Sequence, residues 1–205
     1  MIAIITGDII NSRKITDQKL WIAPLKKVLR LYGQSPATWE IFRGDSFQLE
    51  ITEPADSLLA AIRIKAAIRS VKGLDVRMSI GIGGKSYVAA GISESNGEAF
   101  VNSGEKFEEL KKIKQRLAIK SPWPETDRTL NLMITLASVP MNNWTVNSAE
   151  IVTLSLRYAG LSQKQLGKKL KISQSSVSER QTRANYAEIT ALEEYYRNTI
   201  TSHIV

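Results

Sequence analysis

The sequence predicts an α+β domain followed by a small all-α domain, and three patterns lead to that reading. An apolar strand opens the chain at Ile2-Ala3-Ile4-Ile5, and two stretches of strand-forming residues meet at a Gly44-Asp45 turn within 41–51. Val76 to Gly83 alternates strictly, with small residues on one face and branched or long apolar ones on the other. After Ser121-Pro122-Trp123-Pro124, every apolar pattern has helical spacing. The boundary is expected there, separating 1–121 from 125–205.

Taken in order, the first strand runs into Thr6-Gly7-Asp8, and 8–12 reads as a polar turn. A helix is expected over roughly 16–32, with Trp21, Leu25, Val28 and Tyr32 at spacings of four, three and four. Pro24 either kinks it or marks a late start. Gly33-Gln34-Ser35-Pro36 breaks it, and the hairpin follows. Pro54 stands at a helix start, and Leu58, Ala61, Ile64, Ile68 and Val71 form one stripe ending at Gly73. From Gly97 to about Leu117 a helix places Phe100, Phe107, Leu110 and Leu117 on one side, while Asn102 and Lys106 point away from that stripe. The order strand, helix, hairpin, helix, strand, helix describes an antiparallel sheet with helices on one face.

Composition narrows the chemistry. With no cysteine and one histidine, His203, thiol chemistry, a structural zinc cluster and most histidine catalysis are excluded. No run approaches the roughly 18 apolar residues of a membrane span, and no basic leader precedes the first strand, so a cytoplasmic protein without a membrane partner is expected. A net charge of +8 favours a polyanionic partner.

Asp8 after the first strand and Asp45 at the hairpin tip would meet at one edge of a sheet, where a hard cation binds. With Ser79-Ile80-Gly81-Ile82-Gly83 as a strand and Val101-Asn102 and Lys106 on the next helix, residues 1–118 resemble the class III nucleotidyl cyclase and diguanylate cyclase (GGDEF) superfamily. More narrowly, Thr6-Gly7-Asp8-Ile9-Ile10-Asn11-Ser12-Arg13-Lys14 and Arg43-Gly44-Asp45-Ser46-Phe47-Gln48 are similar to the SatD family. The resemblance implies a ferredoxin-like, cyclase-type sheet, Mg²⁺ or Mn²⁺ held by Asp8 and Asp45, and a triphosphate cradled by Ile9, Ile10, Asn11 and Ser12. Magnesium shares one or two carboxylates with substrate phosphates, which suits such a pair. The resemblance also gives Asn102 and Lys106 a catalytic place, reaching across a homodimer interface to ribose and phosphate. Lys106 stands where the cyclases have arginine and loses the bidentate grip, and Ser46 replaces a metal-binding glutamate of the GGDEF signature.

The second unit carries a different signal. Ser162 with Gln165 forms a capping box, Leu166 and Leu170 are four apart, and Ser173 can cap a following helix from Gln174 to Arg183. This resembles a helix-turn-helix of the sigma-region-4 or repressor kind, with Gly167 where the helices cross. Residues 162–183 hold six Lys+Arg against Glu179 alone. Lys164, Lys168 and Lys169 are expected at DNA phosphates, with Gln174, Ser175, Ser178 and Arg180 at base edges and Arg183 completing the basic cluster. Flanking helices near 147–159, with Ile151, Leu154 and Tyr158, and near 186–200, with Ile189, Leu192 and Tyr196, complete the bundle. The expected function is a transcription regulator that binds DNA and a nucleotide with Mg²⁺. The alternatives are an enzyme that turns over a nucleoside triphosphate, and a degenerate cyclase-like dimerisation domain joined to a DNA-binding domain.

Overall fold

The computed structural model describes residues 1–204. Five strands form one sheet in the order β2-β3-β1-β4-β5, with β1 Ile2–Ile10, β2 Trp39–Phe42, β3 Ser46–Ile51, β4 Asp75–Gly83 and β5 Leu117–Lys120. Eight α-helices accompany it among the described residues: α1 Lys19–Leu29, α2 Ser57–Arg69, α3 Glu98–Ile113, α4 Pro124–Asn142, α5 Val146–Arg157, α6 Gln163–Leu170, α7 Gln174–Arg183 and α8 Tyr186–Ile204. The fold is α+β, and Pro24 lies inside α1 without ending it.

Two expectations about the sheet are corrected. It is mixed rather than antiparallel, because β5 pairs parallel with β4 from Met78 opposite Leu117 to Gly81 opposite Lys120. Helix α3 stops at Ile113, where Lys114 turns left-handed (φ 57°), so Leu117 opens a strand instead of closing the helix. The helices also cover both faces. Ala3, Ile5 and Ile9 of β1 and Val76, Met78, Ile80 and Ile82 of β4 face the core under α1 and α2, whereas Ile4 packs with Ala99 and Phe100 of α3. The reason lies in the small face of β4. A Cβ on Gly81 would collide with the backbone of Ser103 and Ala99, so α3 sits almost on the strand itself. Ser79 Oγ donates to the Ser103 carbonyl at 2.7 Å across the same seam.

Most of the helical half shares its core with the sheet, and only α5, α6 and α7 add a small cluster of their own. One cluster of buried residues runs from Ala3 through α2 to Trp144, Ile189 and Ile200. Helix α2 is buried nearly all round, with the sheet beneath it and α5 and α8 above. Polar contacts cross the same seam: Ser57 and Tyr196 share a hydrogen bond between their hydroxyls at 2.7 Å, and Lys65 donates to Asn142 Oδ1 at 2.6 Å. The boundary expected at 121–124 therefore falls where β5 passes into α4, inside one continuous body. There Asn131 of α4 accepts from the Ile119 N–H at 2.8 Å and donates to its carbonyl at 2.9 Å, which blunts the exposed edge of β5.

Candidate functional site

The two aspartates do meet at one end of the sheet. Strand β1 continues through Ile10, so Asp8 lies within it, opposite Ser46 of β3 and Arg77 of β4, on the face that α3 covers. Asp45 closes the turn between β2 and β3, in which Arg43 (φ 51°) and Gly44 (φ 88°) are left-handed. Ser12 Oγ donates to Asp45 Oδ2 at 2.5 Å. Arg77 Nε stands 3.8 Å from Asp8 Oδ1, too far for a hydrogen bond, and that oxygen is buried without a hydrogen-bond partner. Burial pushes the Asp8 carboxyl above its ordinary value, Arg77 and Lys111 pull it down, and Asp45 adds to the rise. Arg77 and Lys111 are the neighbours that sequence reasoning missed. The alternation of β4 already put Arg77 on the face of Ser79 and Gly81.

An orphaned carboxylate oxygen with a second carboxylate nearby is a donor set that fits a hard cation. No cluster of three or more acidic or histidine ligands exists among the described residues, so the pair suits an ion that completes its shell with water or phosphate. The expected phosphate cradle is arranged differently. Ile9 and Ile10 belong to β1, opposite Val76 and Asp75, and the Ile9 N–H is already donated to the Asp45 carbonyl at 3.0 Å. Asn11 (φ 67°) makes the turn, its amide donating to the Gly73 carbonyl at 3.2 Å, and the Ser12 hydroxyl is spent on Asp45. Ile9 and Ile10 thus belong to the strand, and the turn expected over 8–12 begins only at Asn11.

Asn102 and Lys106 are also corrected. Asn102 is buried, and its amide donates to the Ile82 carbonyl at 2.8 Å, because the close approach of α3 to β4 turns this position inward. Lys106 pairs with Glu109 at 2.9 Å beside the cleft that α3 forms with β5 and α4. The two side chains therefore do not share one free helical face.

Because Asp8 is raised by desolvation, the folded chain holds more protons than the unfolded one between the ordinary aspartate value and the raised one. Stability falls as pH rises through that window and stays reduced above it. Asp8→Asn removes that loss. We expect it to melt higher than wild type at pH 7 without divalent cations, with the advantage shrinking toward pH 4, as differential scanning fluorimetry will read. A variant less stable than wild type at pH 7 would contradict the electrostatic picture of this site.

The second group of residues lies on a three-helix unit. Ile151 of α5, Leu166 of α6 and Val177 of α7 form a small core, with Leu154, Tyr158, Leu161, Leu170 and Ile172 around it. The Ser162–Gln165 capping box is present, Ser173 accepts from the Ser176 N–H at 3.1 Å, and Lys171 (φ 56°) makes the left-handed turn between α6 and α7. A Cβ on Gly167 would lie 2.7 Å from the Ile172 carbonyl, so glycine is what lets the turn fold back against α6. Lys164 and Lys168 project into solvent, and Lys169 leans over the Tyr158 ring at 4.2 Å. On α7, Gln174, Ser175 and Thr182 are exposed and Ser178 is half-buried beside them. Arg180 is turned back toward Glu150 of α5 at 3.8 Å, whereas Arg183 is exposed and pairs with Glu179 at 2.6 Å. Thr182 belongs to the outer face with Ser175 and Ser178, the three following one another at spacings of three and four, a pattern already legible in the sequence.

No curated protein and no solved structure matches the chain. The family model described as the SatD family matches residues 1–201, spanning the sheet, α3 and the whole helical half. The chain belongs to the SatD family.

Proposed function

We propose that this protein is a DNA-binding regulator in which α6, the turn and α7 act as a helix-turn-helix, and in which Asp8 and Asp45 bind a nucleotide through Mg²⁺. The observation that carries the reading is the outer face of α7. Its short polar side chains Gln174, Ser175, Ser178 and Thr182 have no core to cover, and they are flanked by Lys164 and Lys168. Such side chains reach base edges, and such lysines reach phosphates, when a helix enters a major groove. Arg180 contributes through Glu150 rather than by base contact. A homodimer, which would set two α7 helices on one duplex at a spacing fixed by the protein, belongs to the same proposal. The cyclase-type reaction is not part of it, since Asn102 is bonded to the Ile82 carbonyl and Lys106 to Glu109.

Fluorescence anisotropy with full-length protein and labelled genomic fragments tests this reading. Lys168→Ala should weaken binding to every duplex alike and lower the slope of log affinity against log salt by about one, as expected for one lost phosphate contact. Absence of binding at low salt overturns it. For the nucleotide, Mg²⁺ with a nucleoside triphosphate should raise the melting temperature of wild type. Asp45→Asn should abolish that rise.

A further inference from the structure

Between α1, α2 and α5 lies a cavity of about 620 Å³, within the range of small-molecule sites. Val28 and Ala67 form its apolar wall, and Leu31 stands exposed at its margin. Three cations line it: Lys27, Arg63 and Arg157. None of them pairs with a carboxylate among the described residues. Arg63 instead donates to the Tyr32 hydroxyl at 3.1 Å, and Arg157 rests near the Tyr158 ring. Thr153, on the α5 side of the cavity, has a buried hydroxyl with no hydrogen-bond partner.

We propose that this cavity binds a small amphipathic anion: an apolar body lying against Val28, Leu31 and Ala67, with one acidic group facing Arg63 and Arg157. Uncompensated guanidinium groups beside an apolar wall favour that class over a neutral apolar compound, which would leave them unpaired, and over a highly charged nucleotide, which would leave the wall unfilled. Since α5 is the first helix of the unit that carries α7, occupancy of this cavity is positioned to be felt by the DNA-binding face. That consequence rests on the proposed function, whereas the binding itself does not.

Titration of the full-length protein with 8-anilinonaphthalene-1-sulfonate, an apolar body with one anionic group, tests the site. One saturable site per chain is expected, displaced by decanoate and not by decanol. Arg157→Gln should weaken binding at least tenfold, and so should Ala67→Met, which fills the cavity; circular dichroism checks that each variant keeps its fold. Leu136→Lys, in the apolar groove between α4 and α8, is the control and should leave binding unchanged. No saturable binding, equal displacement by decanol, wild-type affinity in Arg157→Gln, or loss of binding in Leu136→Lys each overturns the proposal.

Discussion

Replacing Asp75 with alanine is expected to cost about 3–5 kcal/mol, because it leaves the buried Lys65 ammonium without its counter-charge. Asp75 opens β4 and is almost fully buried. It accepts from Lys65 at 2.8 Å, forms an ion pair with Arg116, and has Arg69 3.9 Å away. Without it, the buried Lys65 ammonium loses its counter-charge and faces the partly exposed Arg69 and Arg116. Lys65→Met should be far milder, since Asp75 keeps both arginines and the new side chain fills a similar volume. Burial holds the Lys65 ammonium down to about 8, against the opposing pull of Asp75. Between that value and the ordinary lysine value the unfolded chain carries more protons than the folded one, so this group adds stability as pH rises through the window. Urea denaturation at pH 7 and pH 9.5 should show that gain in wild type and not in Lys65→Met. An Asp75→Ala variant as stable as wild type would remove the network from the account.

Trp144→Ala should cost a similar amount, about 3–5 kcal/mol, as for other buried tryptophans. Trp144 is fully buried at the corner where α4 passes into α5. Its indole N–H donates to the Ala184 carbonyl at 2.9 Å, at the end of α7, and its own carbonyl accepts from Arg69 of α2. The indole ties this corner to α7 and the backbone carbonyl ties it to α2, and Trp144→Ala removes the first tie together with the buried ring. Because the core is continuous across that corner, the variant should still unfold in one transition, with circular dichroism and tyrosine fluorescence changing together. Two separated transitions would mean that the halves fold independently.

The parts of this fold that announce themselves in the sequence are those whose signal is local. The alternation of 76–83, the hairpin turn at Gly44-Asp45, the Ser162–Gln165 capping box and the need for a small residue at Gly167 each depend on neighbours a few positions away. Strand β5 was hidden because Leu117 falls seven residues after Leu110, a spacing that continues the helical stripe, and only the left-handed Lys114 interrupts it. Asn102 looked solvent-facing because its burial is set by the glycine of a distant strand. The Lys65–Asp75–Arg116 group joins residues 10 and 41 positions apart in the chain, and no periodicity connects them. At the sheet end the two aspartates were legible as strand-end acids. The strand pairing that closes Ile9 and Ile10 was not, because residues 8–12 carry turn-forming Asn and Ser that in fact come into play only after Ile10.

The most direct test of the central claim is selection of duplexes from a random-sequence DNA pool by the full-length protein at low salt, followed by sequencing. The account predicts a recurring motif that wild type enriches and that Ser178→Ala, on the outer face of α7, enriches weakly or with altered bases while still binding DNA in general. A protein that retains no DNA, or a Ser178→Ala variant that enriches the same motif as strongly as wild type, would contradict the assignment of α7 as the helix that reads DNA.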